Sequence, residues 1–475
     1  MIQGIFKKAI YFSLPAASKI ILAFTVLPLM TWRLTAADYG FFALVVSVVA
    51  AIGVLPTVGS SAVMAKHFIG ATNDARKNLI INILSLATAL GAIGIILFFP
   101  VWHVILYYLP EQAGRLTNVD LMLALLAIFG SGWSPIAAEA LTLEGRARVF
   151  AGVSIVRDVV GAGAGVAALY IFDMGGTSLF VSLAAASVMD VILSYAALSR
   201  YSGGRLSFSQ CGILLREMHL TAANIFDTGG DVVERSLISG NIGLNVLGIV
   251  SHSKTYENMI MIVAKSLSRA SWPECLTEAR RPASNFGTSM MVTDIISVTC
   301  MMGAAVLATV GYDAISLLSH GKFAYAAYFA AVWMGTVALR TTGFAPKALI
   351  YVTGRAEFFS LSVIVSRVLS IGVLFFFAAQ WGAGAIILAV VVSALAGKLI
   401  VYYLANRLRP VPFHDVQPLL VLAFAVALSL VSYRFATTLS ERAVLGVAAV
   451  AFAAIANRGI ILAVLRYLPR LRPAL

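Results

Sequence analysis

The sequence predicts an all-α integral membrane protein of about 14 transmembrane helices. Two six-helix bundles in a parallel 6+6 repeat are followed by two C-terminal helices. Three observations predict it. Of 475 residues, 60% are hydrophobic and only 12% charged, with a mean hydropathy of +0.93. Soluble domains carry roughly 25% charged residues. Apolar runs of about 20 residues, the length that crosses a bilayer, follow one another along the whole chain. A loop motif also recurs six spans later.

Reading the runs between polar breaks gives spans at about 9–32, 40–65, 79–108, 119–141, 149–172, 177–199, 217–239, 244–270, 289–310, 324–350, 357–379, 382–406, 417–437 and 442–465. Loop charge fixes their direction. With the N-terminus cytoplasmic, eighteen loop Lys and Arg fall inside, among them Lys7, Lys8, Arg76, Lys77, Arg146, Arg200, Arg280 and Arg355. Five fall outside: Arg33, Arg115, Lys322, Arg434 and Arg442. This is the positive-inside bias, and both termini are expected in the cytoplasm.

The same features exclude several classes. The net charge of +13 is spread in short clusters between apolar runs, not gathered into one patch as a nucleic-acid binder requires. No nucleic-acid partner is expected. Cys211, Cys275 and Cys300 form no CxxC or Cys/His spacing, so neither a disulfide framework nor a metal site is implied. The apolar stretch Ala9 to Met30 is too long for a signal-peptide core. GxxxxGK[ST] is absent and no loop is long enough for a nucleotide-binding domain. An ATP-driven pump within this chain is excluded.

Gly145-Arg146-Ala147-Arg148-Val149-Phe150 returns as Gly354-Arg355-Ala356-Glu357-Phe358-Phe359, and seven of the sixteen positions from 145 to 160 are identical at this offset. Tyr39-Gly40-Phe41 opening span 2 is echoed by Leu247-Gly248-Ile249 opening span 8. Six spans separate the copies, so orientation is kept and the repeat is parallel. The expected organisation is 1–200 for the N-terminal bundle, 201–410 for the C-terminal bundle and 411–475 for the two added helices.

Charges stand where lipid is expected. On span 7, Asn224, Asp227, Asp231, Glu234 and Arg235 fall within an arc of about 100°. On span 8, Ser251, Lys254, Glu257, Asn258, Lys265 and Arg269 share a face, and Lys254 can pair with Glu257 at i,i+3. Each mid-membrane charge opposes insertion by roughly 2.5–3.5 kcal/mol, so both stripes must face protein or water. A hydrated cavity is expected over a dry paired interface, because so many charges are hard to pair completely. Lys19 in span 1, the repeat counterpart of span 7, is expected at the same space. Arg340 and Lys347 share a face of span 10. Arg157, Asp158 and Arg367 read as structural bridges, and Lys398 and Arg458 as snorkelling or pairing within their bundles. Asp190 and Asp294 read as lone carboxylates, either of which could be a proton site, with packing or capping the favoured role. Gly161, Gly163 and Gly165 read as helix-packing glycines.

The order of Ala37-Asp38-Tyr39-Gly40-Phe41-Phe42-Ala43-Leu44, Glu234-Arg235, Gly243, Gly248, Pro273, Gly145-Arg146 and Gly354-Arg355 resembles bacterial polysaccharide flippases, for O-antigen or exopolysaccharide repeat units. These form part of the multidrug/oligosaccharidyl-lipid/polysaccharide exporter superfamily. Glu234 stands where the family usually has Asp, and Ile249-Val250-Ser251 where it usually has Tyr-x-x-Ala.

The resemblance implies a transporter, not an enzyme. It would move an undecaprenyl-pyrophosphate-linked oligosaccharide from the cytoplasmic to the periplasmic leaflet of the bacterial inner membrane, for exopolysaccharide or lipopolysaccharide synthesis. Alternating access of two bundles would expose the site to each side in turn. The substrate-facing candidates are Lys19, Asn224, Arg235, Lys254, Asn258, Lys265 and Arg340, cations and amides suited to a diphosphate and sugar. Asp227, Asp231, Glu234 and Glu257 are the ion-coupling candidates, for protons or sodium; no cofactor is expected. The implied partners are the lipid-linked glycan, membrane lipids and a polysaccharide polymerase or co-polymerase. Two rival readings stand beside this one. A cation-coupled multidrug exporter would share the architecture, though it should favour carboxylates and aromatics over cations. A membrane polymerase or ligase would want a long periplasmic loop.

Overall fold

The computed structural model describes residues 2–57, 64, 67–68, 71–110, 115–217, 222–281, 285–353, 355, 357–411 and 416–462. Among these residues every regular element is a helix, as expected of a chain whose backbone must satisfy itself in lipid. The molecule is a multi-pass membrane protein. It separates into two units, Met1–Leu247 and Gly248–Leu475.

Unit 1 holds α1 (Ile2–Arg33), α2 (Ala36–Gly53), α3 (Asn73–Tyr108), α4 (Asn118–Gly130), α5 (Trp133–Leu143), α6 (Ala147–Tyr170), α7 (Thr177–Leu198), α8 (Phe208–Glu217) and α9 (Ala222–Asn241). The helix α10 (Leu244–Arg280) begins in unit 1 and continues into unit 2. Unit 2 then holds α11 (Gly287–Ala308), α12 (Gly311–Ser319), α13 (Ala326–Thr341), α14 (Phe344–Val352), α15 (Glu357–Trp381), α16 (Ala383–Leu408), α17 (Val416–Phe435) and α18 (Leu439–Ala456).

Among the described residues, the helices at ten of the fourteen expected spans are long and apolar enough to cross a membrane. The other four, spans 1, 7, 8 and 10, are α1, α9, α10 and the pair α13–α14. These four carry all of the substrate and ion candidates. The expected starts of spans 2, 4 and 14 are set by capping boxes, in which a Thr and an acidic side chain satisfy each other's backbone N–H. The pairs are Thr35 with Asp38, Thr117 with Asp120, and Thr438 with Glu441. Asp38, in the motif that carries the resemblance, is thus a cap.

The repeat is visible in packing. In unit 1, α6 lies along α7 and α3 packs on α4; in unit 2, α15 lies along α16 and α11 packs on α13. A Cβ on Gly161 would come within 2.8 Å of Ala186, and one on Gly165 within 2.8 Å of Ser182, so these two glycines set the α6–α7 approach. Gly163 has open space instead and takes no part.

Spans 4 and 10 were expected to be continuous, and both are broken. α4 gives way to α5 at Ser131–Gly132, and α13 to α14 at Thr342–Gly343. The reason is a shared motif: Gly132-Trp133-Ser134-Pro135 recurs as Gly343-Phe344-Ala345-Pro346. Each proline falls in the first turn of the second half-helix, where its missing N–H is tolerated, but it removes the bond that would continue the first half. Gly343 has φ +79°, a conformation that glycine adopts without strain. Gly132 instead makes room, since a Cβ there would sit 2.7 Å from Pro56.

Candidate functional site

The unit 1 break gathers charge. Arg157, midway along α6, donates to Ser134 Oγ in the first turn of α5 (3.3 Å) and pairs with Asp158 (2.7 Å) and with Asp190 of α7 (3.5 Å). Lys19 of α1 stands 3.9 Å from the other oxygen of Asp158. Two cations and two carboxylates from three spans therefore form one charge-balanced cluster. Such a cluster is tolerable at mid-membrane because each charge has an opposite neighbour. Arg157, Asp158 and Asp190 are largely buried, at 19%, 14% and 15% side-chain exposure; Lys19 is 51% exposed. Asp190 is thus a member of this cluster and not a lone carboxylate. Arg157 and Asp158 are the bridge expected of them.

The span 7 stripe is partly spent inside unit 1. Arg235 pairs with Asp231 one turn back (2.8 Å), and its Nη1 donates to the carbonyl of Ala43 on α2 (2.6 Å). The guanidinium thus ties α9 to α2. Glu234 is buried and Asp227 half-buried. The side chain of Asn224 lies outside the described residues.

The span 8 face divides. His252, Ser253, Tyr256 and Glu257 are buried in unit 2, whereas Lys254 is half-buried and Asn258 exposed. His252 stacks on Phe323 at 4.4 Å and shares a hydrogen bond with Tyr256 Oη (3.1 Å). Trp333 Nε1 of α13 donates to Ser253 Oγ (2.6 Å). Glu257 is 8% exposed and makes no hydrogen bond or ion pair among the described residues; the expected pair with Lys254 is not formed. The side chain of Lys265 lies outside the described residues.

A second polar knot sits at the span 10 break. Lys398 of α16, 7% exposed, donates to Thr342 Oγ1 (2.8 Å) and to the carbonyl of Leu339 (3.2 Å). Its ammonium therefore meets the negative end of α13. Lys398 pairs within its bundle and does not snorkel. Lys347 donates to the carbonyl of Arg340 (2.7 Å), spanning the break, and Arg340 itself is exposed.

Sequence reasoning missed that intramembrane charge collects at the two breaks. The available signal was the Gly-aromatic-x-Pro repeat. Half-helix ends present unpaired backbone groups, and transporters place charged groups there. Among the described residues no cluster of His, Cys, Asp and Glu could hold a metal ion.

No family model and no curated protein matches the sequence. Solved structures do match. The lipid II flippase MurJ, in an inward closed conformation, aligns with a TM-score of 0.71 at 11% identity, covering 95% of this chain and all of that one. A multidrug resistance MATE family transporter of the MOP superfamily, inward-facing, gives 0.59 at 15% identity, over 84% of this chain and 99% of that one. A MOP superfamily transporter from Pyrococcus furiosus, described as having a binding pocket of reversed polarity, gives 0.56 at 13% identity, over 85% and 96%. At these identities the likeness is one of fold. It is the fold that the resemblance in the sequence implied.

Proposed function

We propose that the chain translocates an undecaprenyl-pyrophosphate-linked oligosaccharide from the cytoplasmic to the periplasmic leaflet of the bacterial inner membrane, by alternating access. The carrying observation is Lys19, a half-exposed ammonium midway along span 1 and the more exposed of the two cations in the charge-balanced cluster. A sugar diphosphate cannot enter hydrocarbon unaided, and an ammonium in a polar path offers it a charge-assisted contact. The full-length fold likeness to a lipid II flippase supports the same reading. Lys254 and Asn258 on span 8 are further contacts in this reading.

Glu257 is the favoured coupling carboxylate, for a proton or sodium gradient. It is buried and makes no ion pair among the described residues, so a cation arriving there would meet an uncompensated carboxylate. A polysaccharide polymerase or co-polymerase would take over the product. The rival is a multidrug exporter, supported by the likeness to MATE transporters.

The test is reconstitution into liposomes with an undecaprenyl-pyrophosphate oligosaccharide, its movement read with a membrane-impermeant glycosidase. The expected result is protein-dependent translocation that falls at least about tenfold in Lys19→Gln. Efflux of organic cations without glycolipid movement would overturn the proposal in favour of the exporter.

A further inference from the structure

Unit 1 contains a cavity of about 410 Å³ at the turns entering α2 and joining α3 to α4 and α9 to α10. By the loop-charge alternation these turns are all on the outer side. The volume lies within the range of small-molecule sites. Its wall includes Arg115, Ser239, Asn241, Gly243, Leu244 and Asn245, and among the described residues it holds no carboxylate. Leu244 and Asn245 are the first residues of α10, a helix of 37 residues, so backbone N–H groups and the positive end of its dipole lie at the wall. Gly243, at φ +115°, makes the sharp turn that brings α10 in behind α9.

Two further observations point to an anion. Ser239 lines the cavity from α9, is 4% exposed, and its hydroxyl has no hydrogen-bond partner among the described residues. A native fold keeps a buried hydroxyl unsatisfied only for a reason. Arg115 is also unusual, because cations are scarce on the outer side. Of the outer cations, Arg33 pairs with Asp173 at 3.0 Å and Arg442 with Asp313 at 2.7 Å. Arg115 makes no ion pair among the described residues.

We infer that this cavity is an exit-side anion site that takes the diphosphate of the lipid-linked substrate after it has crossed. Arg115 supplies the charge, the α10 N-terminus and the Asn245 side chain supply donors, and Ser239 fixes the register. The inference rests on the proposed substrate for its biological ligand, but the site itself is defined by diphosphate chemistry.

The test uses the full chain in nanodiscs, with inorganic pyrophosphate as the first probe and farnesyl diphosphate presented from the bilayer as the second, both followed by calorimetry. Native protein should bind both. Arg115→Gln should weaken pyrophosphate by about tenfold or more, while Arg115→Lys stays within a few-fold of native. Ser239→Ala should weaken binding severalfold without lowering the melting temperature of the ligand-free protein, because it removes an unsatisfied hydroxyl. A structural role for Ser239 would instead lower that temperature, and would overturn its assignment. Unchanged pyrophosphate affinity in Arg115→Gln, or no binding by the native chain, would overturn the site whatever the transporter carries. Loss of pyrophosphate binding in the variants of a chain that moves no glycolipid would uphold the anion site while removing the proposed substrate.

Discussion

Lys398 on α16 donates to Thr342 Oγ1 on α13 at 2.8 Å, at the point where span 10 breaks. An ammonium 7% exposed in an apolar bundle is expensive. It is stable here because the end of α13 offers acceptors that a continuous helix would not. Arg157 plays the corresponding part at the other break, meeting Ser134 and two carboxylates.

The first prediction concerns this break. Gly343→Ala should destabilise the protein by about 1–2 kcal/mol, the left-handed backbone penalty for a side chain. A Cβ there would also lie 2.9 Å from Lys398 Nζ. Lys398→Met should cost about 1–3 kcal/mol by stranding buried acceptors. Thermal unfolding in detergent measures both, and wild-type melting in both variants would refute the role given to Lys398.

Within unit 1 the cluster separates structure from transport. Arg157→Leu leaves Asp158 and Asp190 without their shared partner and should destabilise by about 3–5 kcal/mol. Lys19→Gln should cost under about 1 kcal/mol, because Lys19 is half-exposed and 3.9 Å from Asp158. The loss of export in Lys19→Gln should therefore exceed any loss of abundance. Proportional losses of both would make Lys19 structural.

On span 8, Lys254→Gln should lower polysaccharide output and Lys254→Arg should retain much of it. Adding Glu257→Gln should not rescue Lys254→Gln, since the two side chains form no ion pair. Full recovery of export in the double variant would mean that the pair does form in the working protein.

The turn between α10 and α11 carries a pH dependence. Glu278 accepts hydrogen bonds from the backbone N–H of Thr288 (2.7 Å) and Ser289 (3.2 Å) and from Ser289 Oγ (3.1 Å). Burial alone would raise its carboxyl, but these bonds outweigh burial and hold it below the usual glutamate range. A lowered folded value means that its contribution is complete above the unfolded value and lost as pH falls through the folded one. Glu278→Gln should thus remove a small part of stability at neutral pH and little at strongly acidic pH. Equal effects at both would show the bonds to be charge-independent.

Reporter fusions test the topology. Fusions after Gly70, Gly145, Gly204 and Gly354 should report the cytoplasm, and those after Gly175 and Gly384 the outside. Reversal throughout the second half would break the parallel repeat.

The helical membrane class and the positions of the apolar spans could be read from the chain alone. Hydropathy and capping are properties of contiguous residues, as Thr35 with Asp38 illustrates. The parallel repeat was legible from Gly145-Arg146 and Gly354-Arg355, since a motif recurring after an even number of spans keeps its direction. The breaks in spans 4 and 10 were legible too, through Pro135 and Pro346, but short interruptions vanish in a window long enough to find a membrane helix. Only the tertiary structure decided what each intramembrane charge meets. Asp190 and Arg157 are 33 residues apart, Lys398 and Thr342 56 apart, and Arg235 and Ala43 192 apart. Their meeting depends on how each helix is rotated and which helix lies beside it, and periodicity along a single helix contains neither quantity. The adjacent Lys254 and Glu257 make the same point in reverse: spacing allowed a pair, and packing sent one side chain into the core and left the other half-exposed.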